Sequence, residues 1–233
     1  MNMRQLPESE TYEEGLLFWP YKDSLAGVLK RVVKFAPKNG TLLDIMCGPG
    51  YLLGEIVKQR PDLTLTGMDI DERYIQYGKE KYPGVQFEKG DVLNWRPEAA
   101  YDVAICTGSV HHVSYEKQDA AIANIASLVK PGGVVIISDC FVDTYSNEQE
   151  RKLAAAKLGY EYLRATIENQ ASDRVIDWTV DILWNDVFRQ EFKASLKDRL
   201  PIYEKYFEVI ETAKVWPLES SEYGDYISVL KPR

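Results

Sequence analysis

Three aspartates and one pair of histidines are the residues of this chain whose type and spacing suit chemistry: Asp44, Asp69, Asp91, and His111 with His112. Asp44 lies inside the apolar stretch Thr41 to Met46, two residues before a turn that carries Gly48 and Gly50. A carboxylate there is suited to orient the turn or to hold a ligand ammonium through water. Asp69 ends the next apolar run, Leu63 to Ile70, 25 residues after Asp44. At such a strand end a carboxylate accepts hydrogen bonds from both hydroxyls of a ribose. Asp91 follows the short run Val85 to Glu88 and can accept from an exocyclic amine such as that of adenine. Each aspartate alone reads as a helix cap or a loop-closing acceptor. Their joint placement favours a ligand. His111 and His112 are the only histidines. Near neutral pH either suits the role of a base for a substrate proton, and shaping the loop is the alternative. Being adjacent, they are expected to face different ways, and with no closely spaced Cys or His partners no metal site is expected.

The elements that must position these groups alternate. Thr41 to Met46 is a strand apolar enough to be covered on both faces, the glycine turn follows, and Leu52, Leu53, Ile56 and Val57 mark a helix. A strand, a glycine turn and a helix start together offer free N–H groups and close backbone access to an anionic or nucleotide-type ligand. Asp71 is placed to cap a helix running to about Tyr82, which Pro83-Gly84 ends. Tyr101 to Cys106 is the next strand, with Thr107-Gly108-Ser109 turning into the histidines. Ala120 to Val129 has the helical face Ile122, Ile125, Ala126 and Val129, stopped by Pro131-Gly132-Gly133, and Val134 to Ser138 is another buried strand. Repeated alternation of this kind implies a doubly wound parallel sheet.

Upstream, residues 1 to 11 are polar and expected to be mobile. Tyr12 to Lys34 reads as a helix in two pieces broken near Pro20, with Leu25, Val28, Leu29, Val32 and Val33 facing the core. The aromatics Tyr12, Phe18, Trp19 and Tyr21 suit core packing or a substrate-facing cap. The 233 residues fit one domain, residues 1 to 233. The net charge of −8 marks no broad phosphate-backbone footprint, so no nucleic-acid partner is expected. With no apolar run of membrane length and no leader pattern, the expectation is cytoplasmic with no membrane partner. Cys47, Cys106 and Cys140 read as small buried thiols in a reducing compartment.

These pieces, in register, resemble the class I S-adenosylmethionine-dependent methyltransferases. Leu43-Asp44-Ile45-Met46-Cys47-Gly48-Pro49-Gly50 is similar to that family's first motif, Gly67-Met68-Asp69-Ile70-Asp71 to its second and Gly90-Asp91-Val92 to its third. Tyr101 through Val113 is similar to the fourth strand and its loop, and Leu128 to Gly133 to the turn before the fifth strand. The resemblance covers about residues 40 to 140. It implies a Rossmann-like, mostly parallel seven-stranded sheet with an antiparallel last strand, formed with Phe207 to Val215 and Tyr226 to Leu230 as the C-terminal hairpin. It also implies S-adenosylmethionine as cofactor. Gly48 and Gly50 would approach its methionine part, with Asp44, Met46 and Cys47 beside them. Asp69 would bind the ribose, Ile70, Asp91 and Val92 would meet adenine, and Thr107 and Gly108 would lie near the methionine end. One residue departs from the pattern: Met46 stands where the family usually has glycine. A nicotinamide dehydrogenase fits less well, because Gly54 falls one place late for G-x-G-x-x-G.

Residues 141 to 206 are longer than the family's usual crossover and read as a helical cover. Ser146 with Gln149 suggests a capping box for a helix to about Asn169. A second helix starts near Ser172-Asp173, with Val175, Trp178, Thr179 and Ile182 on one face, and a third includes Val187, Phe188, Phe192 and Leu196. This insertion suits a substrate lid or a homodimer surface, and Tyr160 and Tyr162 are candidates to line the pocket. The substrate-facing candidates are therefore Tyr12, Trp19, Tyr21, Tyr160 and Trp178, with His111 and His112 as catalytic candidates. The expected activity is methyl transfer to a small-molecule acceptor. The alternatives are methyl transfer to a protein or RNA, and a non-catalytic cofactor-binding protein.

Overall fold

A computed structural model of the chain describes residues 9–188 and 191–233. The expectation of a mobile segment over residues 1 to 11 falls largely outside them, and from Ser9 the backbone is already helical. The described residues form α1 (Ser9–Gly15), α2 (Tyr21–Phe35), β1 (Thr41–Ile45), α3 (Tyr51–Gln59), β2 (Thr64–Asp69), α4 (Glu72–Lys81), β3 (Gln86–Lys89) and β4 (Tyr101–Thr107). A 3-10 turn (Val110–His112) leads to α5 (Tyr115–Ser127) and β5 (Val129–Phe141). Then come α6 (Glu148–Glu168), α7 (Asp173–Val187), α8 (Leu196–Tyr206), β6 (Phe207–Trp216) and β7 (Gly224–Pro232).

The strands make one seven-stranded sheet in the order β3-β2-β1-β4-β5-β7-β6. β1 to β5 pair in parallel, whereas β7 runs antiparallel to both β5 and β6. The order reverses between β1 and β4, and in such sheets ligands bind beyond the carboxyl ends of the strands at that reversal. β7 enters the sheet from the opposite direction, so its first residues, Gly224 and Asp225, lie opposite Phe141 and Cys140 at the same edge.

Two apolar layers cover the sheet. One combines Leu25, Val28 and Val32 of α2 with Leu42, Val103, Ile136 and Val229, and the other sets Ile122 and Ile125 of α5 against Leu43, Ile45, Ala104 and Val135. Fully burying side chains such as Val28 and Val32 contributes about 1.5 to 3 kcal/mol each. Val33, expected on the same face, is exposed instead, because the apolar stripe of α2 is one residue narrower than its sequence suggests.

Several boundaries differ from the sequence reading, each for a local reason. Pro131-Gly132-Gly133 does not stop a helix but lies inside β5, where the pairing jumps from Tyr101–Val129 to Val103–Val134, and α5 has already ended at Ser127. A bulge of this kind tolerates proline and glycine because the ladder bonds there are broken. The cap of α6 is Asn147, which accepts from the Glu150 N–H at 3.0 Å, rather than Ser146. Val187, Phe188, Phe192 and Leu196 do not share a helix. The first two close α7, Phe192 lies in the connection, and Leu196 opens α8, capped by Ser195. No helix among the described residues is long and apolar enough to cross a membrane.

Candidate active site

At the end of β1 the backbone turns through three left-handed residues, Met46 (φ 57°), Gly48 (φ 54°) and Gly50 (φ 91°). Glycine adopts this conformation freely, whereas a methionine there costs about 1 to 2 kcal/mol. Packing of the Met46 side chain against the cluster that holds Ile45 and Met68 offsets that cost. Gly50 has a second constraint. A Cβ on it would stand 2.6 Å from Cζ of Phe87, a ring that also presses on Gly67 and Gly78.

Asp44 on β1 and Asp69 at the end of β2 lie close enough to interact electrostatically, and Asp91 follows β3. Asp69 Oδ2 accepts from the Gly48 N–H and Asp69 Oδ1 from the Asp71 N–H, both at 2.9 Å, so this carboxylate ties β2 to the glycine turn. Burial raises its pKa against those amide bonds. Asp44 is fully buried, and its Oδ1 has no hydrogen-bond partner among the described residues. Burial first, and then the charge of Asp69, push it well above the usual carboxylate range. Asp91 caps the turn after β3 by accepting from the Leu93 N–H at 2.9 Å, with Val92 buried behind it. Ile70, 58% exposed, presents an apolar surface next to Asp69. A small pocket, about 280 Å³ including its open mouth, lies beside the turn, walled by Asp44, Met46, Cys47 and Thr107 together with Tyr12 and Tyr21. A buried carboxylate oxygen in want of a donor, beside left-handed glycines, fits a ligand that brings an ammonium close to the backbone.

A second cavity, about 1040 Å³ including its mouth, opens beside the first, and Tyr12 and Tyr21 line both. Its remaining wall comes from Gly108 (φ 58°), the 3-10 turn, the end of β5, and the inner faces of α6 and α7. Gly108 must stay bare, because a Cβ on it would lie 2.9 Å from Cε2 of Tyr21. Of the aromatics proposed from sequence, Trp19 and Trp178 line this cavity, and Trp19 is fixed by donating from Nε1 to Thr179 Oγ1 at 2.8 Å. Tyr160 does not. It is 59% exposed, and Tyr162, two positions on, faces inward in its place.

The histidines do not face different ways. The tight 3-10 turn brings their rings to 4.3 Å between centroids, and both line the larger cavity. His111 Nδ1 lies 2.5 Å from Asp139 Oδ1 and His111 Nε2 lies 3.5 Å from Glu191 Oε2. Charge and hydrogen bonding from His111 hold the Asp139 carboxyl below its ordinary range although burial opposes them. An ionised Asp139 only accepts, so Nδ1 carries the proton, and Nε2 faces the Glu191 carboxylate at the cavity wall. Desolvation, and then His111 beside it, push His112 down, so it is neutral at pH 7. Glu191 Oε1 lies 4.0 Å from His112 Nδ1, and Lys193 donates to Glu191 Oε2 at 2.5 Å and to Asp186. His111, His112 and Glu191 come close enough together to chelate, but the Lys193 ammonium already supplies a cation at Glu191.

Asp139, Glu191, Lys193 and Asp225 belong to this site and were missed from the sequence. For Asp139 a signal existed: like Asp44, it is a lone carboxylate in an apolar strand. Asp225, at the head of β7, is 1% exposed, accepts from Tyr162 Oη at 2.6 Å and Ser24 Oγ at 3.3 Å, and is pushed up to about 7 by burial.

Residues 42–133 match a family model described as a methyltransferase domain. The chain is 30% identical over 138 residues to a malonyl-[acyl-carrier protein] O-methyltransferase of Halalkalibacterium halodurans, an alignment covering 56% of this chain and 49% of that protein. It therefore spans about half the length of that relative. It is 25% identical over 192 residues to a trans-aconitate 2-methyltransferase of Acidovorax sp., covering 82% of this chain and 73% of the other. In fold it is similar to the N-methyltransferase NodS of Bradyrhizobium japonicum solved with S-adenosyl-L-homocysteine, at a TM-score of 0.62 and 13% identity over 97% of each chain.

Proposed function

We propose that this chain, whose residues 42–133 match a methyltransferase-domain model, is a class I S-adenosylmethionine-dependent methyltransferase that moves a methyl group to a small-molecule acceptor held in the larger cavity. The observation that carries this reading is the sharing of Tyr12 and Tyr21 between the glycine-turn cavity and the larger one. Donor and acceptor placed in the two would meet at these tyrosines and Gly108. A concave site walled largely by aromatic and apolar side chains suits a small molecule rather than a polymer, and α6 and α7 roof it as a lid.

S-adenosylmethionine, when bound, supplies a sulfonium-activated methyl. This chain's residues have four tasks. Asp69 and the Gly48 and Gly50 backbone hold the ribose and methionine portions, with Asp44 accepting from the ammonium. Ile70, Asp91 and Val92 enclose adenine. Trp19, Tyr21, Tyr162 and Trp178 exclude water and align the acceptor, which is most of what an in-line displacement requires. His111 Nε2 takes the acceptor's proton, and Asp139, a positioning residue, holds the tautomer and stabilises the imidazolium. Malonyl and trans-aconitate esters, for which the two relatives are named, come from acidic acceptors. Five carboxylates line the larger cavity here, so we assign this chain a different acceptor.

Isothermal titration with S-adenosyl-L-homocysteine should give a saturable isotherm, and absence of binding would end this reading. Asp69→Ala should weaken that binding by about 1 to 3 kcal/mol, the loss of a charged hydrogen-bond acceptor. Unchanged affinity in a folded variant would remove Asp69 from the ribose site.

A further inference from the structure

We propose that the acceptor carries a protonated amine and that this ammonium seats on Asp225. The proposal rests on the methyltransferase reading above and adds the acceptor's chemical class. Both donors to Asp225, Tyr162 Oη and Ser24 Oγ, reach the same oxygen, Oδ2. Oδ1 is buried without a partner among the described residues, in a side chain that lines the larger cavity. A buried carboxylate oxygen without a donor is costly, and a ligand N–H removes that cost.

Two further oxygens that line the cavity and can accept, Ser138 Oγ and Asn185 Oδ1, also have no partner among the described residues. An ammonium brings three N–H donors and no acceptor, which complements such a set. Lys193, the one lysine among the described lining residues, is committed to Asp186 and Glu191. Tyr162 and Trp178 add aromatic faces that favour a cation once water is displaced. Charge points the same way among the described residues: five carboxylates line the cavity with one lysine and two imidazoles, of which His112 is neutral at pH 7. An anionic acceptor would meet repulsion.

Asp225 is also expensive to the empty protein. Its pKa in the fold, about 7, lies above the ordinary carboxylate value near 4, so folding takes up a proton between them. The stability present below pH 4 is therefore lost as pH rises to about 7. Asp225→Asn should raise the melting temperature of the ligand-free protein at pH 8 and leave it little changed at pH 4.5.

The test uses protein saturated with S-adenosyl-L-homocysteine and titrated at pH 7.5 with matched probes: phenethylamine, 2-phenylethanol and 3-phenylpropanoate, and the shorter benzylamine, benzyl alcohol and benzoate. In each set the amine should bind at least tenfold more tightly than the alcohol, and the acid weakest. In Asp225→Asn the amine's advantage should fall at least fivefold while homocysteine-product affinity stays unchanged. Equal binding of amine and alcohol in both sets, preference for the acid, no binding by either amine, or an undiminished amine preference in the variant would overturn the proposal. The wild-type comparison decides the matter even if the variant does not fold. Failure to bind S-adenosyl-L-homocysteine at all would instead strike the methyltransferase reading.

Discussion

Alanine at position 50 is expected to cost several kcal/mol and to abolish cofactor binding. Gly50 sits at φ 91°, where an L side chain costs about 1 to 2 kcal/mol. The added Cβ would also stand 2.6 and 2.8 Å from two atoms of the Phe87 ring, and overpacking of that kind costs about 1 to 3 kcal/mol. The ring has no free direction, because hypothetical Cβ atoms on Gly78 and Gly67 would meet it at 2.5 and 3.1 Å. The total, about 2 to 5 kcal/mol, is a large share of a typical domain stability of about 5 to 15 kcal/mol. Urea denaturation measures the loss. Gly132→Ala is the control: φ is 82° but nothing lies within 4 Å of the new Cβ, so only the backbone penalty applies. If the two variants were equally stable, steric confinement by Phe87 would be the wrong explanation.

His111→Gln is expected to lower kcat by about 100- to 10,000-fold, the span of a positioned general base. Affinity for S-adenosyl-L-homocysteine should not change, since His111 borders the larger cavity and not the pocket at the glycine turn. Glutamine is preferable to alanine because it can still donate to the buried Asp139, which would otherwise keep only the Cys140 N–H at 3.0 Å. Asp139→Asn separates positioning from proton transfer. Its kcat should also fall, with affinity for S-adenosyl-L-homocysteine unchanged, because the imidazole is no longer held in one tautomer and orientation. A His111→Gln enzyme with wild-type kcat would leave the transfer relying on alignment alone.

The sheet and the cofactor side were legible because their signals are local. Each parallel strand is a short apolar run bounded by turn residues, and Asp44, Asp69 and the glycines occupy one strand-turn-helix unit and the next. The acceptor side was not. The His111–Asp139 pair is separated by 28 residues and Ser24–Asp225 by 201, and only the crossover topology makes them neighbours. Similarly, Tyr160 and Tyr162 are equivalent by composition, and the phase of α6 alone decides which one enters the cavity. Pro131-Gly132-Gly133 was misread because a helix stop and a strand bulge use the same residues.

The Phe87 ring, closed in by glycines of the turn (Gly50), of β2 (Gly67) and of α4 (Gly78), has a consequence for how sequences of this kind can drift. The four positions form one volume-conserving set. A larger residue at Gly50 or Gly78 demands a smaller one at 87, one at Gly67 also meets Leu53 and Cys47, and a smaller residue at 87 leaves a void that only a second change refills. Substitutions there are accepted in compensating pairs or not at all, although the positions lie on four separate stretches of the chain.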